Sequence, residues 1–392
     1  MDDSDAEDEV ATDLSNSDVT TKYQEAAKIC NLALQGLTQQ CVPGAKINDL
    51  CKFGDTVILQ RCSQIFRNKV KGVAIDKGVA FPTCVSVNEC VVNNCPLESE
   101  AGNHKPLAEG DLVKIDLGCH IDGYIAVGAH TTKVGKQPTK DSPLTGKEAD
   151  VILAAKHAAE VAVKSIKAGT KNTEVTEAVK KVADAYGVNF LAGTVMEQIK
   201  RYVISGNKNV ALCAEDKVDE ITFETNEVYS VNVIVSSGEG KAREQETRTT
   251  VFKRAVDKNY RLKMKASRYL FNSVNTRFPT LPFTLRAVED EKQQARLGVV
   301  ECVSHELLTP YPVLYERVGD IVAQVKVTVL LLPSGTIKVT GMDIDATGLS
   351  SEKVVDAETQ AILDIVTSKK RRNRKKKPAA ASGENVKAMD EA

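Results

Sequence analysis

The stretch KIDLGCHIDGYIAVGAHT, Lys114 to Thr131, decides the fold. Apolar and polar residues alternate through its first half, a polar corner follows at His120 to Gly123, and a second alternating run begins at Tyr124. Alternation on both sides of a short polar corner predicts a β-hairpin. Asp116 lies inside the first strand, where a lone carboxylate is costly unless a positive group compensates it.

The composition is that of a soluble globular protein. Of 392 residues, 42% are apolar and 27% are charged, which suits one large core or two ordinary ones. No signal peptide is recognisable and no apolar run reaches the roughly 18 residues of a membrane span, so we expect no membrane insertion. The ten cysteines include no Cys-x-x-Cys pair, which favours free thiols over a zinc site or a disulfide framework. Free thiols predict a reducing compartment, the cytosol, the nucleus or both.

The two ends of the chain carry opposite charges. The first nine residues, MDDSDAEDE, include six acids, and the run KKRRNRKKK at 369–377 includes eight cations. Without these eight cations the rest of the chain has a net charge of −9, compared with −1 for the whole. Both ends are predicted to be disordered tails. A basic run this dense is also typical of a nuclear-import signal or a polyanion contact.

Composition and periodicity divide the chain into three parts. Residues 1–18 form the acidic tail, residues 19–350 form one domain of mixed α and β structure, and residues 351–392 form a last helix and the basic tail. A basic segment with a helical pattern interrupts the β-rich second half at about residues 253–303. We expect this segment to be a helical insertion.

Two Ala-Ala-Lys triplets, which begin at Ala26 and Ala154, each lie in a pattern of helix, glycine turn, second helix and strands. The repetition is weak evidence of an internal duplication, because alanine-rich helices resemble one another by chance. In the first unit, Asp55 is predicted to cap the second helix, whose apolar face would begin at Ile58.

Four segments resemble the type 2 methionine aminopeptidases of the pita-bread fold. They are AFPTCVSVNEC, EGDLVKIDLGCHIDG, NEVYSVNVIVSSGEG and AQVKVTVLL, and they occur in this order within residues 20–345. A helical insertion near residue 270 is the mark of type 2. The resemblance implies an α/β (α+β) pita-bread fold with two pseudo-symmetric halves, which would account for the repeated helix pattern.

The resemblance also implies positions for a metal site. In that family two aspartates, one histidine and two glutamates hold two metal ions, which activate a water for peptide hydrolysis. These ligand positions fall here on Asp116, Val127, Met196, Asn232 and Lys326, and a substrate-contacting histidine falls on Asn93. Only Asp116 keeps a ligand, whereas two neighbouring ions need several anionic ligands. We therefore predict no metal, no cofactor and no aminopeptidase activity.

Asp116 is then predicted to be a buried acid with a charged partner. The strand AQVKVTVLL aligns with the peptidase strand without a gap, so Lys326 should point inward, with its ammonium within about 4 Å of the Asp116 carboxylate. A true metallopeptidase with substitute ligands is a competing hypothesis. His120 and Asp122 lie at the hairpin corner and His130 lies beyond the strand centre, so none would take the place of the second aspartate.

The chain resembles the proliferation-associated proteins, non-catalytic relatives of these peptidases, more closely. RLGVVEC, HELLTPYPVLYE and VAQVKVTVLLLP are typical of that group, as are an acidic N-terminus and a Lys/Arg-rich C-terminus. The stretch MEQIKRY departs from it, because relatives usually have a histidine there, as they often do at Asn93.

The resemblance implies a non-enzymatic, growth-regulatory protein that binds RNA and the large ribosomal subunit. Its expected partners are ribosomal RNA, other RNA and regulatory proteins, and its expected roles are translation, ribosome biogenesis and transcription control. Its expected location is the cytoplasm and the nucleus or nucleolus. A pocket that binds peptide N-termini through Asn93 and Asn232 without cleavage is the alternative.

The residues suited to phosphate contact are cations of the insertion and of the basic tail. In a helix, Arg261, Lys265 and Arg268 would share one face. The predicted RNA-contacting residues are Arg261, Lys263, Lys265, Arg268, Lys369, Lys370, Arg371, Arg372, Arg374, Lys375, Lys376 and Lys377. A solvated helix face without a ligand is the competing interpretation of the four cations in the insertion.

Overall fold

The quoted hairpin lies within a long antiparallel sheet of the computed structural model, which describes residues 12–70, 72–213, 215–288 and 294–365. Its two strands run over Leu112–Ile121 and Tyr124–Lys133. Asp122 and Gly123 form the turn between them, with positive φ values of 56° and 76°. Two-residue turns of type I′ need positive φ at both positions, and Asp-Gly suits them. The predicted hairpin is confirmed.

The described part of the chain contains fifteen strands and eight α-helices. The strands are β1 (Lys77–Val87), β2 (Cys90–Val92), β3 (Leu112–Ile121), β4 (Tyr124–Lys133), β5 (Asn189–Phe190), β6 (Val195–Ile199), β7 (Asn209–Ala211), β8 (Val228–Ser236), β9 (Arg243–Glu244), β10 (Val251–Arg254), β11 (Phe283–Thr284), β12 (Leu308–Tyr311), β13 (Leu314–Tyr315), β14 (Val322–Leu332) and β15 (Gly335–Lys338). The helices are α1 (Ser17–Gln40), α2 (Ile47–Gln64), α3 (Gly146–Ser165), α4 (Asn172–Tyr186), α5 (Lys265–Arg277), α6 (Leu285–Val288), α7 (Gln294–Ser304) and α8 (Ala357–Leu363).

One nine-stranded antiparallel sheet organises the fold. Its order is β1-β3-β4-β14-β8-β6-β7, with β15 beside β14 and β5 beside β8. Two three-stranded sheets, β11-β10-β12 and β2-β13-β9, complete the β structure of the described residues. None of the helices described in the structure is long and apolar enough to cross a membrane.

The large sheet has two matching halves that meet between β4 and β14. Helix α1 packs on β3 and β4 and α2 packs on β1, while α3 packs on β8 and β14 and α4 packs on β7. Ala26 of α1 and Ala154 of α3 are both buried, each in the apolar core of its own half. The predicted pita-bread architecture with two pseudo-symmetric halves is confirmed.

The first two helices begin earlier than the sequence predicted. Helix α1 starts at Ser17, inside the predicted acidic tail, because the side chain of Asn16 accepts the Asp18 N–H and caps it. Residues 1–11 lie outside the described part. Helix α2 starts at Ile47, so Asp55 lies in mid-helix and the prediction that it is an N-cap is wrong. Its carboxylate instead accepts the Thr83 N–H at 2.9 Å.

The predicted helical insertion contains α5, α6 and α7, together with β11. These elements share a separate apolar core that includes Leu270, Phe283 and Leu307. At the other end, α8 is the described portion of the predicted C-terminal helix, and the basic run at 369–377 lies outside the described residues.

Candidate functional site: a polar row on the large sheet and a basic surface on the insertion

Three of the predicted metal-site positions lie in one row across the large sheet. The register pairs Asp116 of β3 with Ala129 of β4, Ala129 with Lys326 of β14, and Lys326 with Asn232 of β8. Directly opposed residues of antiparallel strands point to the same face, so all these side chains share one face of the sheet. Val127 shares it too, because it lies two residues from Ala129.

Asp116 and Lys326 form a largely buried ion pair. The distance between Lys326 Nζ and Asp116 Oδ2 is 2.5 Å, and the side chains are 13% and 7% exposed. The ammonium also lies 5.2 Å from the centre of the Phe81 ring, within the range of a cation–π contact. The predicted contact is confirmed: one positive charge offsets the cost of burying the carboxylate.

Gln324 also belongs to the polar row, although the sequence analysis did not identify it. It lies two residues before Lys326 on β14, so its side chain emerges on the same face. Its amide nitrogen donates to Asp116 Oδ2 at 3.2 Å and to Asn232 Oδ1 at 3.0 Å. Within the described residues the other carboxylate oxygen, Asp116 Oδ1, is buried without a hydrogen-bond partner.

Of the two neighbouring residues at the predicted histidine position, Glu197 faces the row and Met196 does not. Glu197 of β6 pairs with Ser230, which lies two residues from Asn232, so Glu197 shares the face of the row. Met196 points to the opposite face and is fully buried in the second core. Burial raises the pKa of the Glu197 carboxyl, and a hydrogen bond with Ser205 and the Lys326 ammonium counteract only part of the effect.

The row does not suit a pair of divalent ions. Two carboxylates, Asp116 and Glu197, face it together with one ammonium, an amide at Asn232 and the apolar Val127. In the part of the chain that the structure describes, no group of three or more His, Cys, Asp or Glu residues could hold a metal ion. Two neighbouring ions need more anionic ligands than this site offers.

The hairpin supplies no substitute ligand. His130 pairs with Ile115, the neighbour of Asp116, so it points to the other face, where burial lowers its pKa to about 4. His120 lies four residues from Asp116, about 13 Å along the strand. Asp122 is held at the corner in ion pairs with a lysine at 2.8 Å and an arginine at 2.5 Å.

Asn93 lies just after β2, in a left-handed backbone conformation with φ 64°. Its side-chain nitrogen donates to the Pro312 carbonyl at 2.9 Å. The amide therefore holds the loop before β13 in place, and only its oxygen is free of that contact.

The four cations of the insertion lie at the start of α5, and we call them the basic surface: Arg261, Lys263, Lys265 and Arg268. All four are exposed, and none has a carboxylate partner within the described residues. The Arg268 guanidinium donates to the backbone carbonyls of Leu262 at 3.1 Å and Lys263 at 2.8 Å.

Only half of the basic surface is helical. Helix α5 begins at Lys265, so the prediction that Arg261 shares a helix face with Lys265 is wrong. The start of the helix is set from outside it, because Glu301 of α7 accepts the Lys263 N–H at 2.7 Å and the Met264 N–H at 3.1 Å. This contact between distant parts of the chain fixes the bend at which the segment enters α5.

Aromatic rings accompany these cations, and sequence reasoning missed them. Tyr260 stacks on the exposed His305, with ring centres 3.6 Å apart and planes 14° apart. Tyr269, beside Arg268, is 37% exposed. The signal was present in NYRLKMKASRY, where two tyrosines flank the four cations. Nucleic-acid surfaces combine cations for phosphates with rings for bases.

Comparison with known proteins shows the family to which the chain belongs. Residues 21–247 match metallopeptidase family M24. The chain is 44% identical to ERBB-3 binding protein 1 of Solanum tuberosum over 99% of this chain and 98% of the relative. It is 43% identical to proliferation-associated protein A of Dictyostelium discoideum over 90% of this chain and 89% of the relative. It is 37% identical to the curved DNA-binding protein of Schizosaccharomyces pombe over 90% of this chain and 91% of the relative.

Solved structures share the architecture. A thermophilic Arx1 superimposes with a TM-score of 0.81 at 29% identity, covering 89% of this chain and 98% of the other. Methionine aminopeptidase from Thermotoga maritima matches with a TM-score of 0.53 at 16% identity, covering 83% and 98%, which shows the fold alone. These comparisons identify the fold as the pita-bread fold. The chain belongs to metallopeptidase family M24 and, within it, to the proliferation-associated proteins, as the sequence predicted.

Proposed function

We propose that this chain is a non-enzymatic RNA-binding protein that associates with the large ribosomal subunit in translation and ribosome biogenesis. The observation that carries the non-enzymatic part is the ion pair between Lys326 and Asp116. In the correspondence that the resemblance implies, Lys326 replaces a glutamate ligand, and its ammonium neutralises the one aspartate ligand that remains. A metal ion at this site would be repelled by Lys326 and would find too few anionic ligands.

The basic surface supports RNA as the ligand. Apart from the basic tail the chain is net acidic, so overall charge cannot attract a phosphate surface and local cation clusters must do it. The four cations at the start of α5 are exposed and lack carboxylate partners in the described part, which leaves their charge available to phosphates. The name of the Schizosaccharomyces pombe relative, a curved DNA-binding protein, points to nucleic acid as well.

In this proposal the insertion and the basic tail have different roles in RNA binding. The tail offers eight cations without a fixed spacing, so it adds affinity and speeds encounter without choosing a site. The basic surface is held by the capped start of α5 and can meet a defined row of phosphates. Choice of the binding site therefore belongs to the insertion.

We extend the proposal to location and protein partners. The run at 369–377 suits nuclear import, which supports a protein that works in the cytoplasm and in the nucleus or nucleolus. The names of two relatives, ERBB-3 binding protein 1 and proliferation-associated protein A, support regulatory proteins as further partners and a role in growth control.

Metal content and peptidase activity test the non-enzymatic part. The purified protein is dialysed, its divalent metals are measured, and release of methionine from Met-Ala-Ser peptides is assayed with added cobalt, manganese or zinc. We expect no bound metal and no release. About two equivalents of a divalent ion that survive dialysis, together with methionine release, would overturn this part of the proposal.

The salt dependence of RNA binding tests the electrostatic part. Each neutralised phosphate contributes roughly 0.7–0.9 to the slope of log affinity against log salt. Deleting residues 369–377 should weaken binding to all RNAs alike and flatten this slope. A chain of the same length in which the eight cations are replaced by glutamine is the matched control and should behave like the deletion. An unchanged slope in both variants would show that the tail makes no phosphate contacts.

A peptide-binding pocket is the second candidate, and the buried Asp116 Oδ1 favours it. This oxygen has no hydrogen-bond partner in the described part of the chain, and Lys326 repels the single charge of a peptide N-terminus less than the double charge of a metal ion. Fluorescent Met-Ala-Ser peptides with a free or an acetylated N-terminus separate the two functions. Saturable binding of the free form alone would support the pocket. Equal or undetectable binding of both forms would remove this candidate.

A further inference from the structure

Two buried cysteines from different elements are in contact beside the hairpin. Cys62 lies in the last turn of α2 and Cys119 lies on β3. Their sulfur atoms are 3.6 Å apart, and the residues are only 2% and 0% exposed. A disulfide needs about 2.05 Å between its sulfur atoms, so closing the gap takes a shift of about 1.6 Å at the end of a helix.

We propose that Cys62 and Cys119 are a modification site at which a hydroperoxide forms a disulfide that ties α2 to β3. One thiolate attacks the peroxide, takes one oxygen to become a sulfenic acid, and releases the other oxygen as water once it is protonated. The second thiol attacks the sulfenic sulfur and displaces a second water. The sum is two thiols and one hydrogen peroxide going to one disulfide and two waters.

The surroundings assign a different step to each cysteine. A hydrogen bond from Cys119 and the nearby Lys77 ammonium lower the pKa of the Cys62 thiol, although burial opposes them. Burial raises the pKa of the Cys119 thiol. Since the thiolate is the nucleophile, Cys62 reacts with the peroxide and Cys119 resolves the sulfenic acid.

The approach for a small oxidant lies next to Cys62. Leu59, one turn earlier on α2, and Lys77 line a cleft of about 380 Å³ between the main domain and the insertion. The ammonium of Lys77 donates to the carbonyls of Ile65 and Phe66, just beyond the end of α2. Lys77 thus ties the end of α2, which carries Cys62, to the rim of the cleft, and fraying of this helix end is the motion that exposes the thiol.

Cys95 is the competing thiol. The guanidinium of Arg286 donates to its sulfur atom at 3.4 Å, and hydrogen bonds from Cys51 and Cys84 together with this cation lower the pKa of Cys95. If thiolate character alone decided the chemistry, Cys95 would be oxidised first. Cys51 and Cys84 are also within reach of Cys95, so contact between sulfur atoms does not separate the two sites. The position of Cys62 in the last turn of α2 does, because a helix end frays, whereas Cys95 is held beside Arg286, which is itself fixed by an ion pair with Asp55.

Disulfide mapping of the full-length protein tests the proposal. The reduced protein is freed of reductant and treated with a small excess of hydrogen peroxide. Its remaining thiols are alkylated, and its peptides are analysed by mass spectrometry. We expect a linked pair of peptides containing Cys62 and Cys119 as the main product, and its loss after treatment with dithiothreitol. The oxidised protein should also unfold several degrees higher than the reduced protein, because the link constrains the unfolded chain.

Variants separate this site from general oxidation. Cys62→Ser and Cys119→Val should each abolish the linked peptides and the shift in unfolding temperature. Cys302→Ser removes a buried cysteine of the insertion as a matched control and should leave both unchanged. The proposal is overturned if the wild-type protein yields no such link, if Cys95 is linked or oxidised in preference, or if Cys62 advances to a sulfinic acid. Mapping of the wild-type protein decides the matter even if a variant fails to fold.

Discussion

The sheet row at Asp116 and the basic surface of the insertion use charge in opposite ways. In the row, a carboxylate and an ammonium are both largely buried and lie 2.5 Å apart. On the insertion, Arg261, Lys263 and Lys265 are exposed, without a carboxylate partner in the described part of the chain. The buried charges of the row neutralise each other, whereas the exposed charges of the basic surface remain available to a ligand.

In the proposed function, this difference lets a protein with a peptidase fold bind RNA without peptidase chemistry. A buried charge must be compensated by something, a metal ion in the peptidases and Lys326 here, or the fold loses stability. An exposed cation has no such constraint, because water solvates it and only an approaching polyanion removes it from water. Stability should therefore respond strongly to changes in the row, and binding should respond strongly to changes on the basic surface.

The largest loss of stability is expected when Lys326 is removed. Lys326→Met leaves the Asp116 carboxylate buried without a compensating charge, and the loss of one partner from a buried ion pair costs about 3–5 kcal/mol. The free energy of unfolding from urea titration measures this loss.

The double variant Asp116→Asn/Lys326→Met sharpens the prediction. Without either charge there is nothing left uncompensated, so the double variant should recover most of the lost stability. If Lys326→Met alone is as stable as the parent, the ammonium does not compensate Asp116 and the comparison fails.

A second carboxylate in the row should cost less. Val127 faces the row and is 2% exposed, so Val127→Asp buries an additional negative charge beside Asp116 without a metal to neutralise it. We expect a loss of about 1–3 kcal/mol in urea titration. Val127→Asn, which is polar but uncharged, is the matched control and should lose less than the aspartate. Equal stability of Val127→Asp and the parent would mean that this side chain does not face the row.

At neutral pH the smallest effect is expected at His130, a buried group without a charged partner among the described residues, because its contribution appears only below about pH 6.5. Burial lowers its pKa to about 4, below the ordinary value of 6.5. Below about pH 6.5 the unfolded chain takes up a proton that the folded chain refuses until about pH 4. The free energy of unfolding therefore decreases as the pH is lowered through this window, by up to about 1.4 kcal/mol per pH unit from this residue. His130→Asn should show a shallower slope between pH 6.5 and 4.5 in urea titrations; an identical slope would place the histidine in water.

Sequence reasoning reached the row because strands have a simple period. The hairpin pattern and the gapless alignment of AQVKVTVLL predicted that Asp116 and Lys326 point to the same face. The ion pair was then predicted because a lone buried acid is costly. Gln324 was within reach of the same argument, since it lies two residues from Lys326. Glu197 was not, because the choice between it and Met196 depends on how β6 pairs with β8, a contact between distant segments.

The insertion shows the complementary limit. Its helices and basic character were visible in the sequence, but the start of α5 is fixed by Glu301, more than thirty residues later in the chain. Likewise Asp55 suits an N-cap locally, yet the helix extends back to Ile47 and the carboxylate bonds Thr83 and Arg286 instead. Local preferences were overridden in both places by tertiary contacts.

The central claim of the proposed function is that the insertion, and not the sheet row at Asp116, binds the ribosome. Sedimentation of cell extracts through sucrose gradients tests it with two variants of the full chain, Lys263→Glu/Lys265→Glu/Arg268→Glu and Asp116→Asn/Lys326→Met. We expect the row variant to travel with large ribosomal subunits like the parent. The surface variant should remain at the top of the gradient while keeping weak general RNA binding through its tail. A surface variant that still travels with large subunits, or a row variant that does not, would contradict the account.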